Sequence, residues 1–132
     1  MKEILYLGKE VKNSWGTIAT NDQFIKAKPK LMHGFTRALL KALRLVKQNR
    51  EVAMEAMTKF SELDRELAAR TYDGMIGTFT TNGVVDEETQ KNDLDIVREV
   101  LKITKDVPIE RAYDFSFAKK ADAELTQAGW KP

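Results

Sequence analysis

The side chains able to do chemistry set a low ceiling on what this sequence can catalyse. It holds one histidine, His33, and no cysteine. Thiol catalysis, disulfides and cysteine-based metal sites are thereby excluded, and a zinc or iron centre would have to be built almost wholly from carboxylates. A serine or threonine nucleophile needs an activating base within hydrogen-bond reach. His33 stands beside Gly34 with no companion motif, and reads as a partly exposed helix residue. Asp86, Glu87 and Glu88 offer three carboxylates in a row, but consecutive helix positions point in different directions. They read as first-turn partners of a helix dipole instead. Asn82-Gly83 lacks the glycine run and the lysine of a phosphate loop and reads as a turn. The expectation is a chain that is not an enzyme, with no catalytic residues, no cofactor and no metal.

The loop Asn13-Ser14-Trp15-Gly16 has more to offer a ligand. A tryptophan between two short strands can stack on a bound molecule or close the edge of a core, and both readings stand. Ser14, Trp15 and Gly16 are the candidate ligand-binding residues. A second feature is electrostatic. Every charged residue from Lys26 to Arg50 is basic: Lys26, Lys28, Lys30, Arg37, Lys41, Arg44, Lys47 and Arg50. Such a run could grip phosphates, yet no aromatic platform or nucleic-acid motif accompanies it. The acidic half that follows, with Asp86, Glu87, Glu88, Asp93, Asp95 and Glu99, cancels much of its field, and the net charge is only +2. Solvated helix faces are the reading, with no nucleic-acid partner.

The elements that must position these residues follow from periodicity and turn chemistry. Ile4-Leu5-Tyr6-Leu7, ended by Gly8, reads as a short strand covered on both faces. Thr17-Ile18-Ala19-Thr20 reads as a second β-prone stretch. Thr20-Asn21-Asp22 caps a brief helix through Phe24 and Ile25, which Pro29 interrupts and from which a new helix starts. Leu31, Phe35, Ala38, Leu39, Ala42, Leu45 and Val46 recur three or four apart and predict one helix with a single buried stripe. Asn49 closes it and caps the next, through Val52, Ala53, Ala56, Met57 and Phe60. Ser61 is expected to cap a further helix through Leu63, Leu67, Ala68, Tyr72, Met75 and Ile76, after which Thr78 to Thr81 should be extended. Asp86 starts another helix through Leu94, Val97, Val100 and Leu101. Ile109 to Tyr113 makes a short turn, and a last helix from about Phe117 to Ala128 stops at Gly129.

The expected fold is therefore mainly α: about six helices with one or two short N-terminal strands, in a single domain over 1–132. Residues 1–20 form the strand arm and turn, and 21–132 the helical part. No stretch is long and apolar enough to span a membrane. The opening residues lack the apolar core of an export signal, so an exported parent would carry its signal outside this chain.

The order of motifs adds a resemblance. Ile18-Ala19-Thr20-Asn21-Asp22 with Phe24-Ile25 and Lys28-Pro29 leads into a helix with Phe35, Arg37-Ala38 and Ala42-Leu43. Asn49-Arg50-Glu51 follows, then Leu67-Ala68 and Tyr72, Phe79-Thr80-Thr81-Asn82-Gly83, Val107-Pro108 and Tyr113-Asp114-Phe115. Over nearly its whole length the chain resembles the C-terminal part of periplasmic substrate-binding proteins of ABC importers, those serving nitrate, taurine, aliphatic sulfonates and thiamine precursors. The resemblance implies a piece of a two-lobed α/β (type 2) fold that captures a small solute by lobe closure and hands it to an ABC permease, in the periplasm. The segments that hold the solute in that family have no counterpart here, so no ligand residue is carried over. Two other readings remain: a helical protein-interaction module, and a relative of thiamine-pyrimidine synthesis proteins lacking the histidines and cysteines of that chemistry. The apolar run Ile4, Leu5, Tyr6 and Leu7, short of neighbours within this chain, adds the expectation of a homodimer through those residues or through helix faces.

Overall fold

A computed structural model describes residues 10–14 and 16–132 of the chain. The expected strand at Ile4 to Leu7, and Trp15, lie outside the described residues. Among those described there are seven α-helices and no strand. They are α1 (Asp22–Ala27), α2 (Pro29–Gln48), α3 (Arg50–Ser61), α4 (Arg65–Met75), α5 (Glu87–Leu101), α6 (Ile109–Ala112) and α7 (Ser116–Gln127). Mainly α is thus correct. The second expected strand is not: Thr17 to Thr20 is irregular and exposed, and no strand among the described residues adjoins it to take up its amides and carbonyls.

Capping chemistry sets most of the boundaries. Asn21 accepts a hydrogen bond from the Phe24 amide at 2.8 Å and starts α1. Pro29 occupies the first turn of α2, where its missing N–H costs nothing. Asn49 does two jobs: its amide donates to the Leu45 carbonyl, and its side chain accepts from the Val52 amide to open α3. Ser61 belongs to the last turn of α3 rather than capping α4; Glu62 turns left-handed there, and Asp64 is the cap, accepting from Leu67 at 2.8 Å. Asp86 caps α5 through the Thr89 amide, as its carboxylate is suited to do. The expected extended stretch at Thr78 to Thr81 begins instead in a 3-10 turn, Ile76–Thr78, that continues α4.

The packing centre is the α2–α7 pair. Ala118, Ala121 and Leu125 form a three- to four-residue stripe on α7, and the two alanines admit α2 closely enough for Leu40 to be 1% exposed. Left-handed Gly129 turns the chain back so that the Trp130 amide reaches the Leu125 carbonyl, and the indole covers this cluster. Gly83 covers it from the other side. Its φ is +72°, and a Cβ there would lie 3.0 Å from Leu40 Cδ2 and 3.7 Å from the Ala118 Cβ. A second packed region joins α3 and α4, whose buried residues are Ala53, Met54, Ala68 and Tyr72. The Tyr72 hydroxyl donates to the Val46 carbonyl at 2.8 Å and ties that region to the end of α2.

The stripe expected to be buried on α2 is the main correction. Leu31 is 57% exposed and Phe35 46%, and Ala38 and Ala42 are also open. The face that meets α7 is the opposite one, carrying His33, Thr36, Leu40, Leu43 and Lys47. Leu39, Leu45 and Val46 sit between, half-buried.

The body is correspondingly open. Its accessible surface is 10208 Å², where a compact monomer of this mass exposes about 7,000 Å². The ten residues outside the description could add at most about 1,800 Å² at the unfolded chain's rate. A substantial excess remains, and exposed apolar residues such as Leu31, Phe35, Phe60 and Val100 contribute to it.

Candidate functional site

Two places gather side chains that could act on another molecule. The first is polar and lies where the N-terminal segment meets α5. The Asp93 carboxylate uses its two oxygens separately: Oδ1 accepts the Ser14 amide at 2.7 Å, and Oδ2 accepts the Tyr113 hydroxyl at 2.8 Å. Asn92 Nδ2 donates to the Lys12 carbonyl at 2.9 Å, and the Lys12 ammonium pairs with Glu88. One turn of α5 thus clips residues 12–14 and the corner between α6 and α7 together. The Asn13 Oδ1 and Ser14 Oγ atoms are buried here with no hydrogen-bond partner. Beside the clip is a shallow groove of about 330 Å³ lined by Glu87, Gln90, Ile109, Glu110 and Tyr113.

This arrangement holds, and does not activate. Burial, helped by the bond to Asp93, pushes the Tyr113 phenol up to about 12, so it stays protonated and remains a donor. A general acid or base needs the reverse shift, toward neutrality. Of the candidates from sequence, Ser14 belongs to this clip through its backbone, Gly16 is exposed, and Trp15 is outside the description. Ser14 and Gly16 line neither groove. Nothing in the sequence marked Asp93 and Tyr113, which organise the clip, as partners, although Tyr113 belongs to the Tyr113-Asp114-Phe115 motif; their partnership spans twenty residues and exists only once α6 turns back on α5.

His33 is half-buried on the inner face of α2, with Nε2 at 2.9 Å from Glu124 Oε2 on α7, and Arg37 Nε reaches the same carboxylate at 4.0 Å. Arg44 bonds Asp122 at 2.7 Å and Thr126 at 3.3 Å, with only 14% of its side chain exposed. Lys47 donates to the Phe79 carbonyl. Part of the basic run therefore holds the α2–α7 pair and the Phe79 loop rather than facing solvent.

The second place is apolar. Ile18, Ala19, Phe24, Leu31, Met32 and Phe35, with Thr20 and Asn21, line a groove of about 490 Å³ between the loop before α1 and the outer face of α2. Ile18 is 59% exposed and Phe24 40%. Its lining contains no titratable group, so its chemistry is chiefly burial of apolar surface, with Thr20 and Asn21 as its polar members. A further open apolar face lies on the second half of α5, where Ile96, Val97, Val100 and Leu101 are all exposed.

No family model, curated protein or solved structure matches this chain.

Proposed function

We propose that this chain is a non-catalytic helical part of a solute-capturing protein of an ABC importer, working in the periplasm beside its permease. The observation that supports it is the outer face of α2. This is the most regular apolar stripe in the sequence, and the chain leaves it open. A helix with a regular apolar stripe opposite its packed face belongs between two layers, and among the described residues only the inner layer is present. A part of a two-lobed clamp has this character, because its remaining faces are covered by the rest of the clamp. The order of motifs from Ile18 to Phe115 is what joins this openness to importer proteins rather than to any other layered fold. In such a protein, capture follows from closure of two lobes around the solute, the closed state being favoured by its tighter contacts.

The test is calorimetric titration of the 132-residue chain with nitrate, taurine, alkylsulfonates and thiamine precursors. A solute cleft needs facing walls, and the described grooves are shallow and one-sided. Binding no tighter than millimolar is expected; micromolar binding to this chain alone would overturn the reading. A second reading, a helical protein-interaction module, is favoured by the groove at Ile18, Phe24, Leu31 and Phe35. Neighbouring permease and ATPase genes, with lobe-encoding sequence upstream of Met1, would decide for the importer.

A further inference from the structure

We infer that two copies of this chain pair through unlike faces, the outer stripe of α2 in one copy receiving the second half of α5 from the other. The inference does not depend on the importer reading; it concerns what the 132-residue chain does with faces that are exposed among the described residues.

The α2 stripe runs through Leu31, Phe35, Ala38 and Ala42 and opens at its N-terminal end into the groove with Ile18 and Phe24. One edge of the stripe is basic. Lys30, Arg37 and Lys41 are spaced seven and four apart, so they form a row along that edge. Arg37 is shared with Glu124, and Lys41 lies over the Trp130 ring at 5.2 Å, while Lys30 has no ion-pair partner among the described residues. The α5 face is smaller: Ile96, Val97 and Val100, flanked by Leu101, with Val100 72% exposed. Its edge on the same hand, viewed from the helix N-terminus, carries Glu99, with Asp95 and Glu88 further round. Glu99 too has no ion-pair partner among the described residues.

These edges select the pairing. In an antiparallel helix pair, edges of the same hand face each other. Two α2 stripes would therefore set Lys30 against Lys41, and two α5 faces would set Glu99 against Glu99, both repulsive. An antiparallel α2–α5 contact sets Lys30 and Lys41 beside Glu99 and leaves Leu39 and Met32 on the far edge to meet Leu101 and Leu94. A two-fold axis makes this contact twice, each copy giving α5 and receiving one. The uncovered surface is ample for it: a standard interface takes about 800 Å² from each partner, less than the excess this chain exposes.

Sedimentation equilibrium on the full chain tests the pairing. A dimer is expected in the micromolar range, weakening as salt is raised. Phe35→Asp and, separately, Val100→Asp should each loosen it at least about thirtyfold, because each buries a charge at the centre of the contact. Both sites are exposed in the single copy, so unchanged helical circular dichroism identifies the loss as one of association. Lys30→Glu and Glu99→Lys should each weaken the dimer about three- to tenfold, and the two together in one chain should restore most of it. A chain that stays monomeric at several hundred micromolar overturns the inference. So does a dimer indifferent to Phe35→Asp, and so does a dimer lost only on removing residues 1–9.

Discussion

The two faces of α2 differ in the opposite sense to their composition. The inner face, with His33, Thr36, Leu40 and Lys47, is mixed and is covered; the outer face, with Leu31, Phe35, Ala38 and Ala42, is wholly apolar and is open. What closes the inner face is its partner. The alanines of α7 allow close approach, Glu124 and Asp122 meet His33 and Arg44, and the Phe79 carbonyl takes the Lys47 ammonium. Polar residues are part-buried there because most of their polar atoms find a mate, His33 Nδ1 excepted, and apolar ones are exposed opposite because no second layer covers them among the described residues. Apolar periodicity shows which face would gain by burial. Whether it is buried depends on what else is present.

The sharpest way to break this comparison is to remove its inner member. Leu40→Ala deletes a side chain packed between Ala118, Ala121, Leu125 and Gly83 and should cost about 3 kcal/mol, read from urea unfolding. A loss below 1 kcal/mol would mean that the inner face is not the core. Gly83→Ala presses on the same contact from the loop. The new Cβ meets Leu40 at 3.0 Å in a left-handed conformation, and a destabilisation of about 1–2 kcal/mol is expected. Gly34→Ala is the control, with open space around it in mid-helix, and should stabilise by about 0.5–1 kcal/mol. On the outer face, Phe35→Ser at dilute concentration should change stability by less than about 0.5 kcal/mol, since the ring is nearly half in solvent and the two residues have similar helix propensities.

The smallest effect lies away from both faces and is confined to alkaline pH. The Tyr113 phenol ionises at about 12 in the folded chain against 10.0 when free. The unfolded chain therefore releases this proton first as pH rises. The contribution is fully present below pH 10 and is lost between 10 and about 12. Tyr113→Phe should flatten that part of the stability profile, and a profile unchanged by the substitution would place the phenol in solvent.

Local chemistry made the helices legible. The single-residue signals at Pro29, Asn49, Asp86 and Gly129 each act within one turn, and the helices begin and end beside them. Ser61 misled because Asp64, three residues on, is an equally good cap, and the left-handed turn at Glu62 between them has no sequence mark. Thr17 to Thr20 misled because β-propensity is a statement about fitting into a sheet, and no strand among the described residues adjoins it. The burial of Leu40 over Leu31 could not be read from α2 alone; it was decided by the stripe Ala118, Ala121, Leu125 about eighty residues later. Likewise the Asp93 clip depends on two contacts at sequence separations of 79 and 20, and of the two described ligand candidates Ser14 touches it.

Asn49 stands alone between α2 and α3, and its backbone finishes one helix while its side chain begins the other. No spacer residue lets either end loosen by itself. Fraying of the last turn of α2 removes the cap of α3, and opening of α3 frees the side chain that pins Asn49. The amides of Asn49, Val52 and Ala53 are then expected to exchange with solvent deuterium at one common rate, as a single opening unit, where a longer linker would give two. The joint makes a pair of helices behave as one bent rod. A load placed on the open face of α2, by whatever comes to cover it, is carried directly into the buried region around Met54 and Tyr72.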